Sequence, residues 1–326
     1  MSPTRQATAA SRPQARVRRR GQDGVANMAT GATKSAAKLR VTDQVPQAVA
    51  LAFLRGDPRE NVYLISCVHR SGMSDGLNPA HGRFLGAFDA DQSLRGLLFA
   101  GNSGSLMIVV DEPWVAAEFV DPLLDTGWPF SILVTSFDAG RAFLTRFKKI
   151  SGRKPTLDRK QIFYVLDSSK LVSSKVIKEI DMEQASLDSI DELTELACAM
   201  VAEDFKLDSA HIDRRHYRMR MTERVMEGRA FLCRNGDKEP IFKCDLNVVG
   251  VDGALLEGVF TPRPHRGEGV ATRAMWTLCR DLLVRKKIPF VSLHVDERNK
   301  AARKAYETVG FQEVAAYRLT LIPRQL

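Results

Sequence analysis

In the stretch PHRGEGVATRAMW, residues 264–276, Gly267 and Gly269 stand one residue apart, directly after Arg266 and directly before a run with helical periodicity. Glycine weakens a helix, so two of them at a helix start need a reason. The first N–H groups of a helix have no partner within it and carry the positive end of its dipole, so they attract anions, phosphate above all. Glycines let the backbone approach such an anion closely. The run ALLEGVF, 254–260, reads as a strand ending just ahead of the turn, and Met275, Leu278, Cys279 and Leu282 form an apolar stripe along the helix behind it. Strand, glycine turn and helix are the parts of a phosphate cradle. Metal and disulfide chemistry find less support. Cys67, Cys198, Cys233, Cys244 and Cys279 are widely spaced without a C-x-x-C pair, and His211 and His216 have no cysteine nearby. His265 and His294 are expected to pack locally or face solvent.

R-x-x-G-x-A at Arg266, Gly269 and Ala271 resembles the pyrophosphate-binding motif of the GNAT acetyltransferase superfamily. A strand over 290–295 and then N-x-x-A-x-x-x-Y-x-x-x-G-F, at Asn299, Ala302, Tyr306, Gly310 and Phe311, follow in that superfamily's order. The likeness covers 254–311 in motifs and 175–326 in the order of elements. It implies acyl transfer from acetyl-CoA, as co-substrate, to a primary amine, with no metal. By the same resemblance, the backbone from Arg266 through Gly267, Glu268, Gly269, Val270 and Ala271 to Thr272 holds the diphosphate, and Arg266 adds side-chain charge. Glu268 replaces the basic or small residue common between the glycines and weakens that grip slightly. The strand edge at Val259, Phe260 and Thr261 pairs with the pantetheine arm. Asn299, with Ala302 beside it, bonds the arm near its reactive end, and Tyr306 protonates the departing thiolate. Ala302, Ala305, Tyr306 and Val309 also make one helical face, on which a tyrosine could simply pack.

The attacking amine must be neutral, so a base is expected. Glu257 is the first candidate; by strand alternation it shares a face with Val259 and Thr261, the face that looks toward the reacting centre in this superfamily. Glu203 and Asp204, at a helix end bordering the acceptor site, are the alternatives. The acceptor is expected to be a small-molecule or protein amine.

Each half of the chain presents the same succession of elements around these residues. In the first, helical patterns at 44–54 and 61–68 flank the turn-like RGDPREN, then come two strands within GRFLGAFDADQSLRGLLFAG, a strand SLMIVVD, a helix over 114–124, a strand FSILVTS, a helix DAGRAFLTRFKK and a strand KQIFYVLD. In the second, after KVIKEI, helices IDELTELACAMVAEDF and RRHYRMRMTERVMEG precede strands AFLCR, PIFKCDLNVVG and ALLEGVF; then come the cradle helix, PFVSLHV, NKAARKAYETVG and RLTLI. The expected class is α/β of the α+β type: two GNAT-like domains, each a mixed, mainly antiparallel sheet flanked by helices. A basic tail would occupy 1–40, a degenerate GNAT-like domain 41–170 and the acetyltransferase domain 175–326, divided at the serine-rich DSSKLVSSK. In the first half DEPWVAAEF stands where the cradle would be; its acids repel a pyrophosphate and Pro113 lacks a donor. Tandem acetyltransferases are similar in keeping one active half.

The net charge of +9 would suit a nucleic-acid or membrane partner if it were spread over the body. It is not. Residues 1–40 hold nine basic side chains against Asp23 alone, leaving 39 basic and 38 acidic groups in the rest. That tail has almost no large apolar residue to offset the entropy of ordering and reads as disordered. Its Arg- and Ser-rich, acid-poor composition also describes organelle transit peptides, and Met28 is a possible alternative start. No apolar run approaches the ~18 residues of a membrane helix, so no membrane partner is expected, and five widely spaced cysteines without a disulfide pattern fit a reducing cytoplasm. Two other functions are compatible with the chain: a non-catalytic CoA-binding sensor, and weak nucleic-acid binding through the tail. They differ from the transferase in predicting, respectively, affinity without turnover and binding lost at high salt.

Overall fold

The computed structural model describes residues 39–74 and 81–323. The first half runs β1 (Arg40–Thr42), α1 (Gln47–Leu54), α2 (Pro58–Ser71), β2 (Gly82–Phe88), β3 (Leu94–Gly101), β4 (Ser105–Val110), α3 (Val115–Glu118), α4 (Val120–Asp125), β5 (Ile132–Ser136), α5 (Phe137–Ser151) and β6 (Leu157–Leu166). The second runs β7 (Glu183–Gln184), α6 (Ile190–Phe205), α7 (Arg214–Met226), β8 (Ala230–Arg234), β9 (Pro240–Gly250), β10 (Gly253–Phe260), α8 (Val270–Arg280), β11 (Val291–Asp296), α9 (Lys300–Val309) and β12 (Gln312–Leu321). The strands form one mixed sheet in the order β1-β2-β3-β4-β5-β12-β6-β11-β10-β9-β8-β7. It is antiparallel except at β4–β5 and β10–β11. Among the described residues no helix is long and apolar enough to cross a membrane.

The two halves exchange their last strands. β6 bonds to β11 from Leu166 opposite Val291 to Gln161 opposite Asp296, while β12 bonds to β5, and β6 and β12 pair along the seam. Strand patterning reports which face of a residue is buried, not which strand lies beside it, so the exchange had no counterpart in the sequence. The consequence is functional: the first half supplies the strand next to β11.

Apolar clusters cover both faces of the sheet. In the second half α8 and α9 close one face through Trp276, Met275 and Val309, and α6 and α7 close the other through Leu193 and Met221, which cluster with Phe260 of β10. A smaller cluster joins the halves, with Val62 of α2 packed among Phe163, Leu255 and Tyr317.

Several local expectations shift. RGDPREN, expected as a turn, already holds the start of α2, because Asp57 caps the N–H groups of Arg59 and Glu60 and Pro58 sits at the first helical position. Glu60 then accepts from the Tyr317 hydroxyl at 2.7 Å, and Asn61 Nδ2 donates to Leu54 O at 2.9 Å, so both residues fasten α2. The helix expected over 114–124 is two short ones, α3 and α4, divided at Phe119. The tail lies outside the described residues except for Leu39 and Arg40, and Arg40 opens β1.

Candidate active site

β10 and β11 run parallel for only three pairs, ending at Leu256 opposite Leu293, and then part. Beyond that point the β10 edge from Glu257 to Phe260 has no strand beside it on the β11 side. On its other side β10 stays bonded to β9, with a register shift between Glu257 and Phe260 centred on Gly258, which has φ +61°. This bulge is clamped from below. Lys243 Nζ donates to Gly258 O at 3.0 Å and to Asp245 Oδ2 at 2.7 Å, and both charged side chains are buried. A Cβ at Gly258 would overlap Asp245 Oδ2. Gly258→Ala is therefore expected to destabilise the fold by about 1–3 kcal/mol, combining left-handed strain with displacement of a buried ion pair. Denaturant titration checks this; an unchanged midpoint would show that the clamp is slack.

The bulge also corrects the alternation expected for Glu257. One extra residue at Gly258 turns Val259 toward the α8–α9 core, while Phe260 packs with α6 and α7. Glu257 faces α7 and does not share a face with Val259. Its Oε1 accepts from Arg224 Nη2 at 2.5 Å and Arg220 Nη2 at 3.1 Å. Burial alone would raise its pKa, but the two guanidiniums outweigh burial and hold it below the usual glutamate value.

The glycine turn follows the strand. Gly267 has φ +86° and Gly269 +73°, with nothing within 4 Å of where a Cβ would stand, so conformation and not crowding favours glycine at both. Gly269 is the N-cap of α8 and has no side chain to cap it. Among the described residues no protein acceptor meets the N–H groups of Gly267, Glu268, Gly269, Val270, Ala271 or Thr272. Glu268 is exposed. Arg266 differs from expectation: its side chain turns away from the helix end, Nε donating to Thr261 O at 2.8 Å and Nη2 meeting Glu203 at 3.0 Å, while the guanidinium lies 5.5 Å from the Phe260 ring centre. It braces the strand end against α6.

The second motif forms α9. Asn299 Oδ1 accepts from Ala302 N at 3.1 Å, so the asparagine caps the helix and keeps only its Nδ2 for a ligand. Ala302 packs partly buried beside the α8–α9 core. Gly310, with φ +118°, ends the helix where a Cβ would strike Lys170 O of the connecting segment. Tyr306 is buried, its ring edge-on to Tyr164 of β6 at 6.4 Å and tilted to Phe311 at 5.9 Å. Among the described residues its hydroxyl has no hydrogen-bond partner, and it is not a sealed polar atom. Burial raises its pKa, and the nearby Cys244 and Asp204 push it further in the same direction.

Asp204 lies at the end of α6, accessible to solvent but walled by protein, and burial raises its pKa. Among the described residues no cation bonds its carboxylate. Arg159, from the exchanged strand β6, donates instead to its backbone oxygen at 2.6 Å and lies 3.6 Å from Asp296. Asp296 is held low by hydrogen bonds from Arg298 and by Arg159. His294 stands just past the parting of the strands, its ring 4.8 Å from Phe163 and 4.6 Å from Tyr317, and burial pushes its pKa down to about 4. Its ring packs beside the cluster that joins the halves. Sequence reasoning passed over Arg159, Arg220, Arg224 and Lys243, because only the bulge and the strand exchange bring them to Glu257 and Asp204.

The corresponding place in the first half is built differently. β4 and β5 keep a fourth pair, Ile108 opposite Thr135, and Thr135 Oγ1 donates to Ile108 O at 2.7 Å. No glycine turn follows; Asp111 and Glu112 are both bound by Arg95, and the helices after them have four and six residues.

A model of the acetyltransferase (GNAT) family matches residues 201–311, which span the end of α6, the bulge, the glycine turn and α9. No curated protein matches the chain. Among solved structures it resembles a GCN5-related N-acetyltransferase from Sphaerobacter thermophilus, 13% identical over 88% of this chain and 96% of that one, TM-score 0.56. A Drosophila protein is 12% identical over 88% and 99%, TM-score 0.57. A tandem GNAT protein from the clavulanic acid biosynthesis pathway is 13% identical over 88% and 98%, TM-score 0.50. At such identities the likeness is one of fold. Residues 201–311 therefore match an acetyltransferase domain of the GNAT family, within a chain whose fold is shared with GNAT structures.

Proposed function

We propose that the second half transfers an acetyl group from acetyl-CoA to a primary amine where β10 and β11 part. The observation behind this reading is the juxtaposition of unpartnered N–H groups at the left-handed turn before α8 with a strand edge that loses its neighbour after Leu256. A ligand with an anionic head and a polar extended arm would satisfy both, the diphosphate at residues 266–272 and the arm along 257–261. CoA has that shape, and its thioester supplies the electrophilic carbonyl. The first half, 41–170, we read as a diverged copy of the second, 175–326, without a glycine turn after its fourth strand; it lends β6 and α2 to the acceptor side.

Asp204 takes the proton of the incoming ammonium. Its carboxylate has no cation of its own and burial raises its pKa, whereas Glu257 and Asp296 are both held low by arginines. The base role expected of Glu257 passes to Asp204, and Glu257 orients α7. Tyr306 keeps its proton through burial and donates it to the departing sulfur, with Asp204 close enough to influence its charge.

Calorimetric titration of acetyl-CoA, followed by thiol release across a panel of amines, tests the reading. Release above the hydrolysis blank supports it, tight binding without release points to a CoA sensor, and no binding reduces the glycine turn to a connection. For Asp204→Asn, kcat should fall about 100-fold. The wild-type acid limb, which arises because protonation at low pH removes the base and whose midpoint burial raises above that of an ordinary aspartate, should vanish in the variant. The amine's own titration is common to both proteins and cancels in the ratio of their profiles. An acid limb unchanged in the variant belongs to another group.

A further inference from the structure

Two arginines one helical turn apart on α7 meet the same oxygen of Glu257. Their settings differ. Arg224 is sealed, its side chain 9% exposed, and Nη1 and Nη2 also reach Asn247 at 3.3 and 3.1 Å. Arg220 is 42% exposed, and among the described residues nothing else takes its N–H groups. The neighbouring charges balance without it: Lys243 pairs with Asp245, and Arg229 holds Glu223 and Glu227 at the far end of α7. At the parting of the strands one carboxylate thus meets two guanidiniums, and the second opens on solvent. A guanidinium held in place by one carboxylate still presents the planar fork that binds another in two-point fashion. Across the splay, toward the end of β11, Asp204 offers the opposite charge without a cation of its own.

We propose that the acceptor is an amine that also bears a carboxylate, an amino-acid-like molecule whose carboxylate docks on Arg220 while its amine lies toward Asp204 and Tyr306. This deepens the transferase reading and rests on it. A charge-assisted pair at a partly enclosed site favours the carboxylated member of a matched pair about 10- to 100-fold.

The test compares kcat/KM for phenylalanine with phenethylamine, alanine with ethylamine, and lysine with cadaverine, in wild-type protein, Arg220→Gln and Arg220→Lys. Acetyl-CoA affinity serves as the check on folding. The expected result is a preference of at least about tenfold for carboxylated acceptors in the wild type, falling to near one in Arg220→Gln and partly kept in Arg220→Lys. No preference in the wild type, or the wild-type preference intact in Arg220→Gln, overturns the proposal. The same pairs are titrated calorimetrically onto protein saturated with CoA. Carboxylate-selective binding without thiol release would keep the anion site and remove the transferase reading; unselective turnover would do the reverse.

Discussion

Gly269→Asp should weaken acetyl-CoA binding by at least about 100-fold while leaving the fold intact. A carboxylate at the N-cap of α8 would stand among the N–H groups of residues 267–272, where the reading of the site places a diphosphate. Two like charges about 4 Å apart repel by roughly 1 kcal/mol in water and about 4 kcal/mol near a protein surface, and the aspartate would also take N–H groups for its own cap. Both effects act against the ligand. Neither acts against the fold, because the space around a Cβ is empty and aspartate is among the residues that tolerate φ near +73°. Gly269→Ala separates the two: it keeps the backbone strain without adding charge, so it should lose far less affinity. Calorimetry measures the binding and circular dichroism the fold. Equal affinity for acetyl-CoA in the aspartate variant and the wild type would remove the cradle.

The glycine turn was readable in the sequence because each of its parts is local. A strand pattern, two glycines and an apolar stripe lie within thirty or so residues, and the conformations they adopt depend on little beyond themselves. The same holds for α6, whose 190–205 span matches its sequence pattern, and for β8 and β9. What lay outside that range is long in sequence separation. Arg159 reaches Asp204 only because β6 crosses to the other half, and no residue in KQIFYVLD signals a partner at β11. Gly258 shows the second kind of failure. One glycine within a strand carries a bulge that reverses the side on which Val259 stands, and the reason, a buried lysine on β9 bonding to its carbonyl, lies fifteen residues earlier. Arg220 and Arg224 read as ordinary charges on a polar helix until Glu257 is turned toward them. Fold class therefore followed from local patterning, and the electrostatics of the site from contacts between elements.

Tyr306→Phe should lower kcat about 10²- to 10⁴-fold and leave stability and acetyl-CoA affinity near wild type. The substitution keeps the ring, and with it the edge-on contact to Tyr164 and the packing on Phe311, so the core loses nothing it uses. It removes a hydroxyl that bonds to no described residue. A hydroxyl that meets no described residue and is not sealed is free to donate to an acceptor that arrives with the substrate. Because burial keeps the phenol protonated, the wild-type rate should show no basic limb from Tyr306 under ordinary conditions, and the loss in the variant should be the same at every pH. Single-turnover kinetics with saturating acetyl-CoA isolate the chemical step from product release. A phenylalanine variant with wild-type single-turnover rates would reduce Tyr306 to packing and leave the departing sulfur to be protonated by solvent.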